Sequence, residues 1–393
     1  MRFKYGIITF GLIILILMLA GCGKGEGNSQ TSQSSTSINY KKPTSISSTP
    51  NSKAYMSILE SIKMVNAMTG WATAEGFIFR TVDGGVSWTD ITPKGIAGHI
   101  TGHIFSRDGQ TAWIAFIKES SSKIIVYNTA DGGQIWKSAE INTTPNQGAS
   151  VTFSFVDTIH GWLLAGYGTA MGSEYVDLFH SIDGGVSWKR IASANPSQEM
   201  SSRLPFSGVK TGLVFSDQKN GWLTGFTHGD GIWLHTTTDE GLTWTPKNLA
   251  TPSGFHTEGG SVSTEPPHFF GSEVGLMPVE FRGQTPPALV FYTTQDGGAN
   301  WKTTTPVQSS QESYRGFQWS IIDAHHSIVS DDYKLYYTSD GSYSFESITP
   351  NIDLMNLQQL DFVSEQLGWA IIDGGLWKTN DGGHIWTELS WTK

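Results

Sequence analysis

Cysteine is almost absent from this chain: Cys22 is the only one in 393 residues. The rest of the sequence therefore has no disulfide, no thiolate metal site and no thiol nucleophile. Arginine is scarce, with seven in total, and only 15% of residues are charged. Acidic residues outnumber basic ones by 35 to 25, for a formal net charge of −10. An acidic domain does not suit nucleic acid or anionic lipid as a partner. No helical periodicity is evident beyond the N-terminal apolar run, so no glycine-rich loop leads into a helix to cradle phosphate. No His-Glu-x-x-His motif occurs. His99 and His103 lie in a Gly-rich connection, and His325-His326 would point to opposite faces of a strand. Neither pair reads as a metal site, and no cofactor is implied.

Long apolar runs are also missing, with one exception. Gly6 to Ala20 is an apolar run of fifteen residues, too short for a comfortable transmembrane helix. The basic Met1-Arg2-Phe3-Lys4 precedes it and Leu19-Ala20-Gly21-Cys22 ends it. This ending resembles the lipobox of bacterial lipoproteins. The resemblance implies a signal peptide over 1–21, lipid on Cys22, and a place on the outer side of the cell membrane. Loss of Arg2 and Lys4 takes the net charge from −10 to −12. Residues 22–54 are rich in Ser, Thr, Asn and Gln and read as a disordered tether. As a coil of about 31 residues it averages roughly 30 Å, and fully extended about 100 Å.

What the chain does have is a repeat. The pattern Ser/Thr-x-Asp-x-Gly-x-x-Trp recurs with its aspartates at Asp83, Asp131, Asp183, Asp239, Asp296, Asp340 and Asp381. Their spacings are 48, 52, 56, 57, 44 and 41 residues. The copy at Asp340 is degraded: Ser342 replaces the second Gly and Phe345 the Trp. Upstream of most copies a Gly-Trp pair opens a strand, as at Gly70-Trp71, Gly161-Trp162, Gly221-Trp222 and Gly368-Trp369. Ala112-Trp113 and Gly275-Leu276 are variants. Each repeat reads as four antiparallel strands, A to D, so residues 55–393 predict an all-β, seven-bladed β-propeller. In the third repeat A is about Val151–Val156, B Trp162–Gly166, C Val176–Ser181 and D Ser187–Ile191.

The box falls between strands C and D. Gly supplies positive φ there, and Asp and Ser/Thr bond nearby backbone N–H groups. Trp packs between blades and needs a partner for its N–H. Seven carboxylates spread around a ring do not converge on one substrate, so the boxes read as structural. They resemble the Asp-box repeats of bacterial neuraminidases. Together with the Gly-Trp strands they look most like the photosystem II assembly and stability factor family. That resemblance covers about residues 57–391 and implies the propeller fold and a protein-binding role. The acidic charge departs from the basic patch typical of that family.

The A–B and C–D turns share one face, which is uniform. The irregular lengths fall on the other, at Lys118–Ser122, Tyr167–Tyr175, Ala192–Phe206, Ala250–Pro267, Glu280–Pro287 and Gln311–Arg315. Loops on a rigid scaffold carry function, so the candidate binding face comprises Arg203, His256, Glu258, Glu265, His268, Glu280, Arg282, Tyr314, Arg315 and Trp319. Ser202-Arg203-Leu204-Pro205 is similar to the Arg-Ile/Leu-Pro motif of sialidases, whose three arginines would correspond to Arg203, Arg282 and Arg315. In sialidases that motif precedes the first box; here it follows the third. The leading reading is a monomeric binding or assembly scaffold for an extracytoplasmic protein or a cell-wall glycan. The alternative is a glycosidase, which needs two convergent carboxylates.

Overall fold

A computed structural model describes residues 58–96, 104–118, 123–143, 150–195, 203–227, 231–257, 262–310 and 316–390. Cys22 and the tether lie outside them. All regular elements among the described residues are β-strands. Five sheets have four strands each, and a ten-stranded sheet holds two further four-stranded units, Val209–Pro246 and His268–Thr303, joined through Val262–Thr264. The seven units follow the seven repeats, and the molecule is a β-propeller. Strands A to D of blade 3 are Ser150–Phe155, Gly161–Ala170, Ser173–Ser181 and Lys189–Ser193. Blade 1 begins at Leu59 and blade 7 ends at Leu389, each built from its own four consecutive strands.

The core is distributed rather than central. Seven apolar clusters are present, one between each pair of neighbouring blades, including Leu59, Ile62 and Phe79 of blade 1 against Trp369 and Ile371 of blade 7. Each B strand is sandwiched on both sides, which is why it reads as a continuous apolar run rather than an alternation. Gly70–Ala74 and Gly368–Ile372 are buried at every position.

The Gly-Trp pair has a steric reason. The Trp162 indole stacks on Phe215 of the next blade at 3.7 Å, and Trp113 stacks on Phe155 at 3.8 Å. The inner-strand Phe also lies against the glycine of its own blade: a Cβ on Gly161 would meet Phe155 at 2.1 Å. The indole N–H then reaches the next blade's box. Trp113 Nε1 donates to Gly184 O at 2.8 Å, Trp162 to Glu240 O at 2.8 Å, and Trp369 to Gly84 O at 3.1 Å.

The boxes are turn-building devices. In the first, Thr81 Oγ1 donates to Asp83 Oδ1 at 2.8 Å and accepts from Gly85 N at 3.0 Å, while Asp83 accepts from Ser87 N at 2.9 Å. The residue after each Asp donates its N–H to a carbonyl of the A–B turn, as Gly84 N does to Met68 O at 2.8 Å and Gly341 N to His325 O at 2.9 Å. These bonds fasten the two turns of each blade into one uniform face. The degraded box keeps the geometry: Ser342 has φ 72° where Gly85 has 89°, and its N–H bonds Thr338 Oγ1 at 3.1 Å.

Two local expectations change. His325 and His326 are not in a strand; Asp323 Oδ1 accepts both of their N–H groups and closes the A–B turn of blade 6. The blade 3 insertion at Tyr167–Tyr175 is not a loop. Its residues continue strands B and C past a register shift, with Thr169 opposite Glu174 and Ala170 opposite Ser173.

Candidate binding face

Strands B and D end on the irregular face, and strands A and C begin there. The first described residue, Ile58, lies on the same face beside Gly374, and Leu59 N bonds Gly374 O at 3.1 Å. Two built features occupy this face.

The first is a widened inner strand in blade 5. Val262–Thr264 pairs with Val279–Phe281, and His268–Phe270 pairs with Val274–Leu276. Between them Glu265, Pro266 and Pro267 stand against only Met277 and Pro278, which is a bulge. Two prolines fit there because neither can donate to the ladder. Pro266 lies against Gly212 of blade 4, where a Cβ would meet it at 2.3 Å. Glu265, next to the bulge, accepts from Ser263 Oγ at 3.1 Å. Ser263 is the cross-strand partner of Glu280, so one side of the strand pair gathers Glu265, Glu280 and Arg282.

Glu280 is only 3% exposed, and both of its oxygens are taken. Arg282 Nε and Nη2 each lie 2.6 Å from Oε2, and Phe317 N donates to Oε1 at 3.2 Å. The carboxylate therefore clamps blade 5 to the start of blade 6. Burial pushes the Glu265 carboxyl up to about 7 against the Ser263 hydrogen bond; the Glu280 charge adds to the rise and Arg282 opposes it. Arg282 keeps 55% of its side-chain surface exposed.

The second feature spans blades 3 and 4. The B–C hairpin of blade 3 turns at Met171-Gly172, and the connection into blade 4 runs along it. Glu174 N bonds Phe206 O at 3.2 Å and Gly208 N bonds Gly172 O at 2.9 Å. The Lys210 ammonium sits among four carbonyls, those of Glu174, Phe206, Ser207 and Gly208, at 2.9–3.5 Å, with the shortest bond to Gly208 O. Glu174 Oε2 accepts from Lys210 N at 2.7 Å. Burial lowers the Lys210 pKa to about 8 against the Glu174 charge. Beneath this, the fully buried Asp177 takes Tyr167 Oη at 3.1 Å and Arg190 Nη1 at 3.4 Å.

The candidate residues divide accordingly. Glu265, Glu280 and Arg282 come together. Arg203 lies two blades away, exposed, with Nη1 on Ile191 O at 3.3 Å, so it and Arg282 do not form one carboxylate clamp. His256 is exposed, and its carbonyl takes Gln284 Nε2 at 2.7 Å. His268 is not on this face. It sits in the inner strand, on the wall of a cavity of about 560 Å³ bounded by the inner strands of blades 2 to 5. Trp319 is not on it either: its inner-strand position turns it into the blade 5–6 cluster with Leu276 and Phe291. Glu258, Tyr314 and Arg315 lie outside the described residues. Among the described residues no group of three His, Cys, Asp or Glu is placed to hold a metal ion. The Glu174–Lys210 clamp and the Tyr175–Phe206 ring pair were not anticipated from sequence. The signal was present in the alternation of Tyr175, Asp177 and Phe179 with Val176 and Leu178.

The chain matches the DUF6242 beta propeller domain over residues 22–266, more than half its length. It belongs to that family. No protein of curated function matches it. Among solved structures it is similar to YCF48 bound to D1 peptide, at 16% identity and TM-score 0.53, covering 82% of this chain and 92% of that one. YCF48 from Cyanidioschyzon merolae gives 16% identity and TM-score 0.55 over 83% and 96%. A GH74 xyloglucanase from Xanthomonas campestris gives 14% identity and TM-score 0.56 over 85% of this chain and 54% of that one. At these identities the likeness is one of fold: the family chain is a β-propeller resembling YCF48, and one fold carries many functions.

Proposed function

We propose that this DUF6242 propeller is a membrane-anchored, extracytoplasmic binding scaffold whose partner is a protein segment, held on the irregular face at blade 5. Cys22 carries the anchor in this reading, and residues 23–54 are the tether. The observation that carries the binding role is the state of Glu280. A glycosidase needs two carboxyl groups free to act on substrate. Here Glu280 is saturated by Arg282 and Phe317, leaving Glu265 without a free carboxylate partner. What the arrangement offers instead is a fixed guanidinium. Arg282 is oriented by Glu280 yet more than half exposed: two of the five N–H donors of its planar fork go to Glu280 and three remain. Such a group suits a carboxylate or a row of backbone carbonyls. The similar propeller solved with a D1 peptide supports a peptide as the occupant.

The test is a pull-down from membranes with the mature chain, beside Arg282→Ala and Arg203→Ala variants, followed by mass spectrometry. The expected result is a protein captured by the parent, lost with Arg282→Ala and retained with Arg203→Ala. Hydrolysis of a glycan panel by the parent, abolished by Glu265→Gln, would replace the scaffold reading with the glycosidase one.

A further inference from the structure

Strands B and C of blade 3, at 10 and 9 residues, are the longest among the described residues. They carry their shared turn outward on the irregular face. We propose that this tip, Met171 with Tyr175 and the adjoining Phe206, inserts into the surface of the lipid bilayer that holds the chain. The proposal rests on the membrane-anchor part of the reading above.

The fold gives no reason for Met at 171. Ala170 and Ser173 are paired, so Met171-Gly172 is a two-residue turn, with φ of 52° and 76°. Such turns favour Asn, Asp or Gly at both places, because other side chains resist positive φ. Met171 is strained there, fully exposed, and covers no core. Tyr175 and Phe206 are 38% and 41% exposed beside it, their rings 5.1 Å apart. Lys210 and the Gly208–Gly172 bond fix the two segments against each other, so the apolar surface is ordered before it meets anything. Other exposed apolar side chains, such as Val82, Val86, Ile182 and Ile385, sit on box turns spread around the opposite face. Scattered singly, they need no partner.

The shape selects the occupant. A protein partner grips an anchor residue in a pocket of its own. A convex apolar tip needs no matching pocket in a fluid layer, and a tyrosine ring suits the headgroup level. The described chain begins at Ile58, beside Gly374 on this same face, so the proposed tether joins the propeller on the side that bears the tip. Read as a coil, it averages roughly 30 Å, which keeps the tip within reach of the bilayer and makes a weak insertion effectively intramolecular. The domain is acidic, so zwitterionic lipid is the appropriate probe.

Cys22 is the sole native cysteine, so Met171→Cys places a single extra thiol on the tip. The full chain carrying this change is labelled with a polarity-sensitive fluorophore in phosphatidylcholine vesicles containing nitroxide lipid. Ile182→Cys, on the opposite face, is the control. The expected result is a blue shift and quenching at 171 at least about threefold that at 182, halved or more when Tyr175 and Phe206 are both changed to Ser. Equal, water-like signals at the two positions overturn the proposal. So does a blue shift that appears without vesicles on adding membrane proteins or raising concentration, which assigns the tip to a protein or a second copy. The anchor is read separately. If Cys22 of the parent reacts with maleimide, the lipid reading fails; Met171→Cys combined with Cys22→Ser, labelled and mixed with the same vesicles, then still decides whether the tip inserts.

Discussion

The side-chain amide of Gln359 bonds both backbone groups of Ile62, 297 residues away: Oε1 accepts from Ile62 N at 3.0 Å and Nε2 donates to Ile62 O at 2.7 Å. One side chain thus substitutes for a strand pair between blades 7 and 1. Asp361 extends the seam by accepting from Met64 N and pairing with Lys63 at 2.7 Å. Trp369 and Lys378 reach Gly84 O from the same side, at 3.1 and 3.3 Å. Among the described residues the ring closes through side chains and a shared apolar cluster, with no strand exchanged between blades 1 and 7.

Gln359→Ala removes both bonds and leaves the N–H and C=O of a nearly buried Ile62 unpaired. An unmet buried polar group costs about 1–3 kcal/mol, so urea unfolding is expected to show a loss of that order. Because the seam joins the chain ends, the loss should come with faster amide exchange at Leu59–Met64 before global unfolding. An unchanged midpoint would mean that the apolar cluster alone closes the ring.

Ser342→Gly is expected to stabilise the protein by about 1 kcal/mol. Ser342 is fully buried at φ 72° and its hydroxyl has no partner. The other boxes place Gly here. Glycine accepts the angle and removes the unpaired hydroxyl. A higher melting temperature checks this; a lower one would show that the hydroxyl is satisfied in solution.

The box carboxylates set the acid limit. Hydrogen bonds from Ser87 hold Asp83 down to about 2, and those from Asn300 hold Asp296 down to about 2; the other five box aspartates are lowered too. A lowered folded pKa stabilises above the unfolded value, near 3.9 for Asp, and the gain disappears as pH falls through about 2. Melting temperatures should therefore drop steeply between about pH 4 and 2. Asp183→Asn should flatten part of that drop. A transition centred above pH 5 would point to groups other than the boxes.

The fold was legible because each repeat advertises its own turn and most advertise their inter-blade contact. The Asp box names the C–D hairpin and the Gly-Trp pair names strand B, both through local chemistry. The site was less legible because it depends on register. Glu265 and Glu280 are fifteen residues apart in sequence, and only the pairing of Ser263 with Glu280 brings them to one side. Likewise His268 and Trp319 looked like loop residues. Both are inner-strand residues: in blade 5 a proline bulge starts the last segment of strand A at His268, and in blade 6 strand A begins at Gln318. The blade 3 insertion looked like a loop because Gly166, Gly168 and Gly172 interrupt its alternation, yet the strands run through them.

Glu265 gives a pH dependence of the opposite sign to the boxes. Burial raises its folded pKa to about 7, from an ordinary 4.5. The native state then holds a proton that the unfolded chain has released between those values. Its contribution to stability is full below about 4.5, declines as pH rises, and is lost above about 7. Glu265→Gln cannot ionise and escapes this decline. The variant is therefore expected to gain on the parent by an amount on the order of 1–3 kcal/mol between pH 5 and 8. Paired melting curves across that range check it. Parallel curves would mean that Glu265 titrates as an ordinary solvated carboxyl, and that the bulge of blade 5 is open to water rather than closed over the Glu280–Arg282 pair.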